Sequence, residues 1–263
     1  MEELSNKEGM AENPTPPGGE QPKQINLQQV AQQFMAGLQR HFDMLAFNLA
    51  SREGAQEGAY IRHANARSVM PSAPNHLNFE QMQAYARDLM VRQLLNDTLN
   101  LAATALNNAH FFLAVIKAKA QSAEISPEAQ KAAQEAQHRF VQAAFDEKFN
   151  RLEKDYGVLC PLEDTIISLG MALQALVQQG GIVREPQVDE NGELAFDLKT
   201  VELSESTETT PQGRIIEQRK TFREGEAITL NDGELQSLLI TIAAFADHLF
   251  RAVSKFGQEQ GNT

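Results

Sequence analysis

Asn96, Asn100, Asn107 and Asn108 lie within "LLNDTLNLAATALNNAHFF" (Leu94 to Phe112), a stretch that otherwise reads as the middle of a long helix. Asparagine is a poor helix former because its amide competes for the backbone, so a run of them needs a reason. At 100° per residue, Leu95, Leu99, Ala102, Leu106 and Leu113 make one apolar stripe with His110 at its edge. Asp88 and Arg92 extend that line towards the N-terminus. Asn96, Asn100 and Asn107 share one flank, while Asn108 points elsewhere and is expected to be solvated. The amides either hydrogen-bond to neighbouring helices and fix their register, or they line a polar pocket between helices that binds a small ligand. In the second case Asn96, Asn100, Asn107 and His110 are the ligand-binding residues. The first reading is favoured, because most buried polar side chains are satisfied structural groups.

Other chemistry is sparser. Glu135 and His138 have the Glu-x-x-His spacing of carboxylate-bridged di-iron bundles, but such sites need a second copy and two further glutamates, and the chain has none. His138 falls in line with Val141, Phe145 and Phe149 and is expected to point inward. No metal site and no cofactor is therefore expected. The six histidines, His41, His63, His76, His110, His138 and His248, sit in separate segments. Cys160 has no neighbouring histidine to activate it. Nucleophile elbows, phosphate-binding glycine loops and dinucleotide fingerprints are all missing. "YIRHANARSVMP" is one of the few positive segments, and its Arg62, His63 and Arg67 are candidates for holding an anion or an acidic partner surface. The competing reading is a solvated loop whose arginine stems cover apolar surface.

The polar residues between Asp88 and His110 on a long helix resemble HEPN-type helical domains in helix style, some of which are ribonucleases. The hallmark of those domains is an arginine followed after four to six residues by a histidine. Here Arg67 to His76 is too long and Arg40 to His41 is adjacent. Neither activity nor site residues carry over.

Composition narrows the classes. The chain has 263 residues, 42% of them hydrophobic, and a formal net charge of −12. It can bury a substantial core, and its acidity argues against a broad nucleic-acid surface. One cysteine excludes an intrachain disulfide and a thiol-rich metal site. The N-terminal segment has no signal-peptide core, and no uninterrupted apolar run reaches the roughly 20 residues of a bilayer span. A soluble, cytoplasmic protein with no membrane contact is expected.

Periodicity places the elements that must position these residues. Residues 1–24, rich in Pro, Gly, Glu and Asn, are expected to be a disordered tail. Ala31, Phe34, Leu38, Phe42, Leu45 and Leu49 mark a first helix from Leu27 to about Glu53. A long connection to Asn78 follows, and Asn78 caps a second helix reaching about Gln121, long enough to predict a kink or partial break. Ser126-Pro127 starts a third helix ending at Tyr156, and Pro161 opens a fourth that closes at Gly180-Gly181. Alternation then predicts strands at Glu193–Val201 and Gly213–Phe222, a hairpin tip at "SESTETTPQ", and a short third strand at "AITL". Asn231, Asp232 and Glu234 cap the last helix, with Gly257 ending it and residues 258–263 flexible.

The expected fold is mainly α: a single domain over residues 25–257, a bundle of about five helices with a small antiparallel sheet inserted at about 182–230 before the last helix. The expected function is non-enzymatic, a helical interaction or regulatory protein working through protein–protein contacts and self-associating as a dimer. Its partner surface is expected in the small sheet, the long connection, or both. The alternative is a small-molecule binder or enzyme using the asparagine seam.

Overall fold

A computed structural model of the chain describes residues 26–65, 78–121, 127–203 and 213–261. In these it holds seven α-helices: α1 (Leu27–Glu53), α2 (Glu57–Ala64), α3 (Phe79–Gln121), α4 (Pro127–Gln142), α5 (Phe145–Tyr156), α6 (Glu163–Gln178) and α7 (Asp232–Gly261). Two strands, β1 (Glu193–Leu203) and β2 (Gly213–Arg223), pair antiparallel before α7. The chain is thus mainly helical with a small antiparallel sheet, as the periodicity predicts, but with more helices than the five expected. The tail at 1–24, the hairpin tip and Ser126 lie outside the described residues.

Two places account for the extra helices. The long connection contains α2, which buries none of its residues and so leaves no apolar stripe to read. The expected third helix breaks at Ala143 and Ala144, where Ala144 takes an extended backbone (φ −67, ψ 167). The break is stabilised from the far side. The Lys148 ammonium of α5 donates to the carbonyls of Phe140 and to that of Val141 at 2.9 Å, so the end of α4 is closed by a side chain. The face changes with it: Phe140 is fully buried, Val141 is exposed, and His138 is exposed instead of pointing inward.

The long helix α3 runs unbroken from Phe79 to Gln121, without the partial break expected of its length. Capping boxes form at both predicted starts. Gln81 N–H donates to Asn78 Oδ1 at 2.8 Å, and Glu234 N–H donates to Asn231 Oδ1 at the same distance. Along α3 the stripe of Leu95, Leu99, Ala102, Leu106 and Leu113 is buried, and α7 answers with Leu235, Leu238, Leu239, Ile242, Ala246, Leu249 and Val253. Gly257 does not end α7. The helix continues through it to Gly261, beside Ile116 of α3. Both α3 and α7 are long and apolar enough to cross a membrane by length and composition; here they pack on each other at the centre of the helical body.

The sheet lies over α6 and α7, with Leu194, Phe196, Leu198 and Phe222 buried against them. "AITL" forms no third strand: Ala227 makes one isolated bridge to Ile182, and the segment otherwise returns to the helices. The outer edge of β1 is closed by side chains. Lys199 N–H donates to Thr241 Oγ1 at 2.8 Å and Asp197 N–H to Thr165 Oγ1 at 3.4 Å.

Candidate functional site

An opening lies where α1, α2 and α3 meet. Rows at three- and four-residue spacing build it: His41, Met44 and Asn48 along α1, and Met82, Leu89 and Gln93 along α3. Tyr60 and His63 of α2 form a wall, with the Tyr60 ring 5.6 Å from Phe79. The cavity has a volume of about 920 Å³. Met44 is 57% exposed and Leu89 45%, unusual for large apolar side chains on facing helices. Methionine adapts its shape to what it meets, so Met44, Met82 and Met90 give the opening an apolar and compliant floor.

One end of the opening is pinned. Asp232, in the first turn of α7, accepts from Arg52 of α1 at 2.7 Å and from Arg87 of α3 at 2.5 Å. Arg87 also donates to the Leu230 carbonyl at 2.8 Å. Partial burial pushes the Asp232 carboxyl up, but the Arg87 hydrogen bond and the charges of Arg87 and Arg52 outweigh it and hold the group below the usual range. The clamp fixes the spacing of α1 and α3 at that end.

The asparagine seam divides in two. Asn96 and Asn100 are exposed, because no helix covers their flank at that height. Asn107 and His110 are covered by α4 and α5 and enter one polar knot. Gln137 Nε2 donates to the Asn107 carbonyl at 3.0 Å, which turns its own oxygen towards His110 at 2.5 Å. That orientation requires His110 Nδ1 to carry a hydrogen and donate it. The imidazole stacks on Phe140 with centroids 4.0 Å apart and meets the Tyr156 ring edge-on. Lys148 Nζ donates to Asn107 Oδ1 at 3.0 Å, alongside its two carbonyls of α4. The polar atoms of Asn107 and His110 that face the knot are thereby engaged by protein groups, the arrangement that the structural reading of the seam requires.

No family model, curated protein or solved structure matches this chain.

The remaining candidates scatter. His63 lines the opening, Arg62 stands exposed beside it on α2, and Arg67 lies outside the described residues. Glu135 and His138 are exposed, and among the described residues no three His, Cys, Asp or Glu side chains gather as metal ligands. Burial pushes the Cys160 thiol up to about 11, with Glu163 adding to it, so the group stays protonated and unreactive at neutral pH. Sequence reasoning missed the opening, because its two rows belong to separate helices and its third wall had no apolar signature. The one legible signal was the exposed-side methionine at three-residue spacing from His41.

Burial holds the His110 pKa below its ordinary 6.5, outweighing the Gln137 hydrogen bond and Asp155, which raise it, and Arg151 and Lys148 add smaller effects in the same direction as burial. A lowered folded-state pKa means that the unfolded chain binds the proton first as pH falls. This part of the stability is full above about 6.5, the unfolded value, and is lost as pH falls through the folded value. Urea midpoints measured from pH 7 to pH 5 are expected to decline for the native chain. His110→Gln should remove that component of the slope, and parallel curves for the two proteins would refute the assignment.

Proposed function

We propose that this chain is a non-enzymatic helical interaction protein, and that the opening between α1, α2 and α3 receives the apolar face of a partner's amphipathic helix. The observation that carries the reading is the open, methionine-lined trough with Met44 and Leu89 left exposed on its two sides. Its length supports a helix as occupant. The α1 row from His41 to Arg52 spans about 17 Å at 1.5 Å per residue, which accommodates about three helical turns. Helix-in-groove recognition uses anchors at i, i+3, i+4 and i+7, and two facing rows of that spacing are their complement. Arg62 and His63 on α2 favour acidic residues flanking those anchors.

Leu89 replaced by a photo-activatable phenylalanine analogue would test the occupant. Irradiation in native lysate followed by peptide sequencing is expected to return an amphipathic helical segment with acidic flanks. Leu89→Asp should weaken capture of that segment about tenfold or more, the loss of one buried anchor. Unchanged capture would remove the trough from the interaction.

The cavity volume also supports a second reading, a small apolar ligand, since about 920 Å³ falls within the usual ligand-pocket range of roughly 300–1,000 Å³. Native mass spectrometry separates the two: a mass of a few hundred daltons that leaves on denaturation favours the ligand.

A further inference from the structure

The far side of the sheet offers a second surface, independent of the trough. β2 is exposed at eight of its eleven positions and, among the described residues, pairs with no strand but β1. The direction of its free backbone groups follows from β1. Asp197 and Lys199 send their N–H groups away from β2, to Thr165 and Thr241. In an antiparallel pair, directly opposed residues point their backbone groups either both inward or both outward. Arg219 and Glu217, opposite Asp197 and Lys199, therefore send theirs out along the open edge, and Ile215 continues the series. An edge with unpaired donors and acceptors is a template for another strand.

We propose that the strand is the β2 of a second copy, paired antiparallel about a two-fold axis at Gln218, so that two sheets join as β1–β2–β2–β1. The sequence of β2, "GRIIEQRKTFR", selects this register. Gln218 is the middle residue, so the axis there uses the strand's full length. It sets Glu217 opposite Arg219 of the second copy, twice by symmetry, and Ile215 opposite Thr221, and so extends the Lys199–Glu217 and Asp197–Arg219 pairs within each chain into rows of alternating charge. No like charges face each other directly. An axis at Glu217 or Arg219 sets that charge against its own copy. One at Lys220 opposes two lysines, and one at Ile216 pairs only part of the strand. The arrangement is also economical for an otherwise exposed two-stranded sheet, which gains two strands without further chain.

Gln218 directs its N–H towards β1, so on the dimer axis it forms a non-hydrogen-bonded pair with its copy. Such pairs bring Cα atoms to about 4.5 Å, within disulfide reach. The test uses the full chain with Cys160→Ser and one introduced cysteine. Mild oxidation of Gln218→Cys is expected to give a disulfide-linked dimer, about tenfold faster or more than Ile216→Cys or Lys220→Cys, which lie off the axis. Sedimentation of the native chain should show a monomer–dimer equilibrium that Ile215→Pro weakens about tenfold, since it removes an outward N–H and takes no bond from β1. Circular dichroism confirms that each variant keeps its helices. A native chain monomeric at all concentrations, fastest cross-linking at 216 or 220, or an Ile215→Pro chain that dimerises normally would each overturn the proposal. Leu89→Asp should leave the dimer untouched, which separates this surface from the trough.

Discussion

Lys148→Met is expected to destabilise the fold by about 3 kcal/mol, read as a lower denaturant midpoint at an unchanged slope. The Met stem keeps the packing and deletes the ammonium. Lys148 is 3% exposed and faces no carboxylate; its charge is spread over the Phe140 and Val141 carbonyls, Asn107 Oδ1 and the Phe140 ring, 4.8 Å from the nitrogen. Burial lowers its pKa, with Arg151 adding to the effect and Glu147 opposing it. The ammonium is therefore costly to bury, and its removal recovers part of that cost. The Phe140 carbonyl keeps the Ala143 N–H at 3.2 Å, but the Val141 carbonyl and Asn107 Oδ1 lose their donor, which outweighs the recovery at about 1–3 kcal/mol for each buried group left unpaired. The damage should concentrate at the α4–α5 break, with faster amide exchange in the last turn of α4. A loss below about 1 kcal/mol would mean that water replaces the ammonium and that the break stands without it.

This lysine also shows why part of the molecule was hidden in the sequence. Helices α1, α3 and α7 were legible because each carries a long apolar stripe, and the Asn78 and Asn231 caps were legible because a capping box is local chemistry. The strands were legible from alternation at Leu194, Phe196 and Leu198. Nothing local distinguishes Lys148 from the solvated charges around it in "FDEKFNRLEKDY"; only contact with α3 and α4 makes it a cap. The break it stabilises then rotates the helix face, which is why His138 looked inward on a continuous wheel. The asparagine seam failed for a related reason. A wheel gives the angle of Asn96, Asn100 and Asn107 but not which neighbours stand beside each turn, and α4 covers only Asn107. The trough was the least legible feature, since it is a space between helices whose exposed methionines read as ordinary surface.

Thr241→Val should cost about 2 kcal/mol, although the two side chains have nearly the same shape. Thr241 is fully buried. Its hydroxyl donates to the Ser237 carbonyl at 2.7 Å, which turns a lone pair towards β1 to accept the Lys199 N–H at 2.8 Å. Valine keeps the volume and presents a methyl group to that N–H, leaving it buried without an acceptor. Thr165→Val is the control. Its hydroxyl meets the Asp197 N–H only at 3.4 Å, near the limit of a useful bond, so a loss below about 1 kcal/mol is expected. Equal losses at the two sites would mean that hydroxyl burial and not edge closure sets the cost. Hydrogen exchange gives a local reading, since the Lys199 amide should lose protection in the Thr241→Val protein before its neighbours in β1. The same two hydroxyls fix the outward direction of the β2 backbone. With one edge of β1 closed by helices and the other by β2, the edge left for a further strand among the described residues is that of β2.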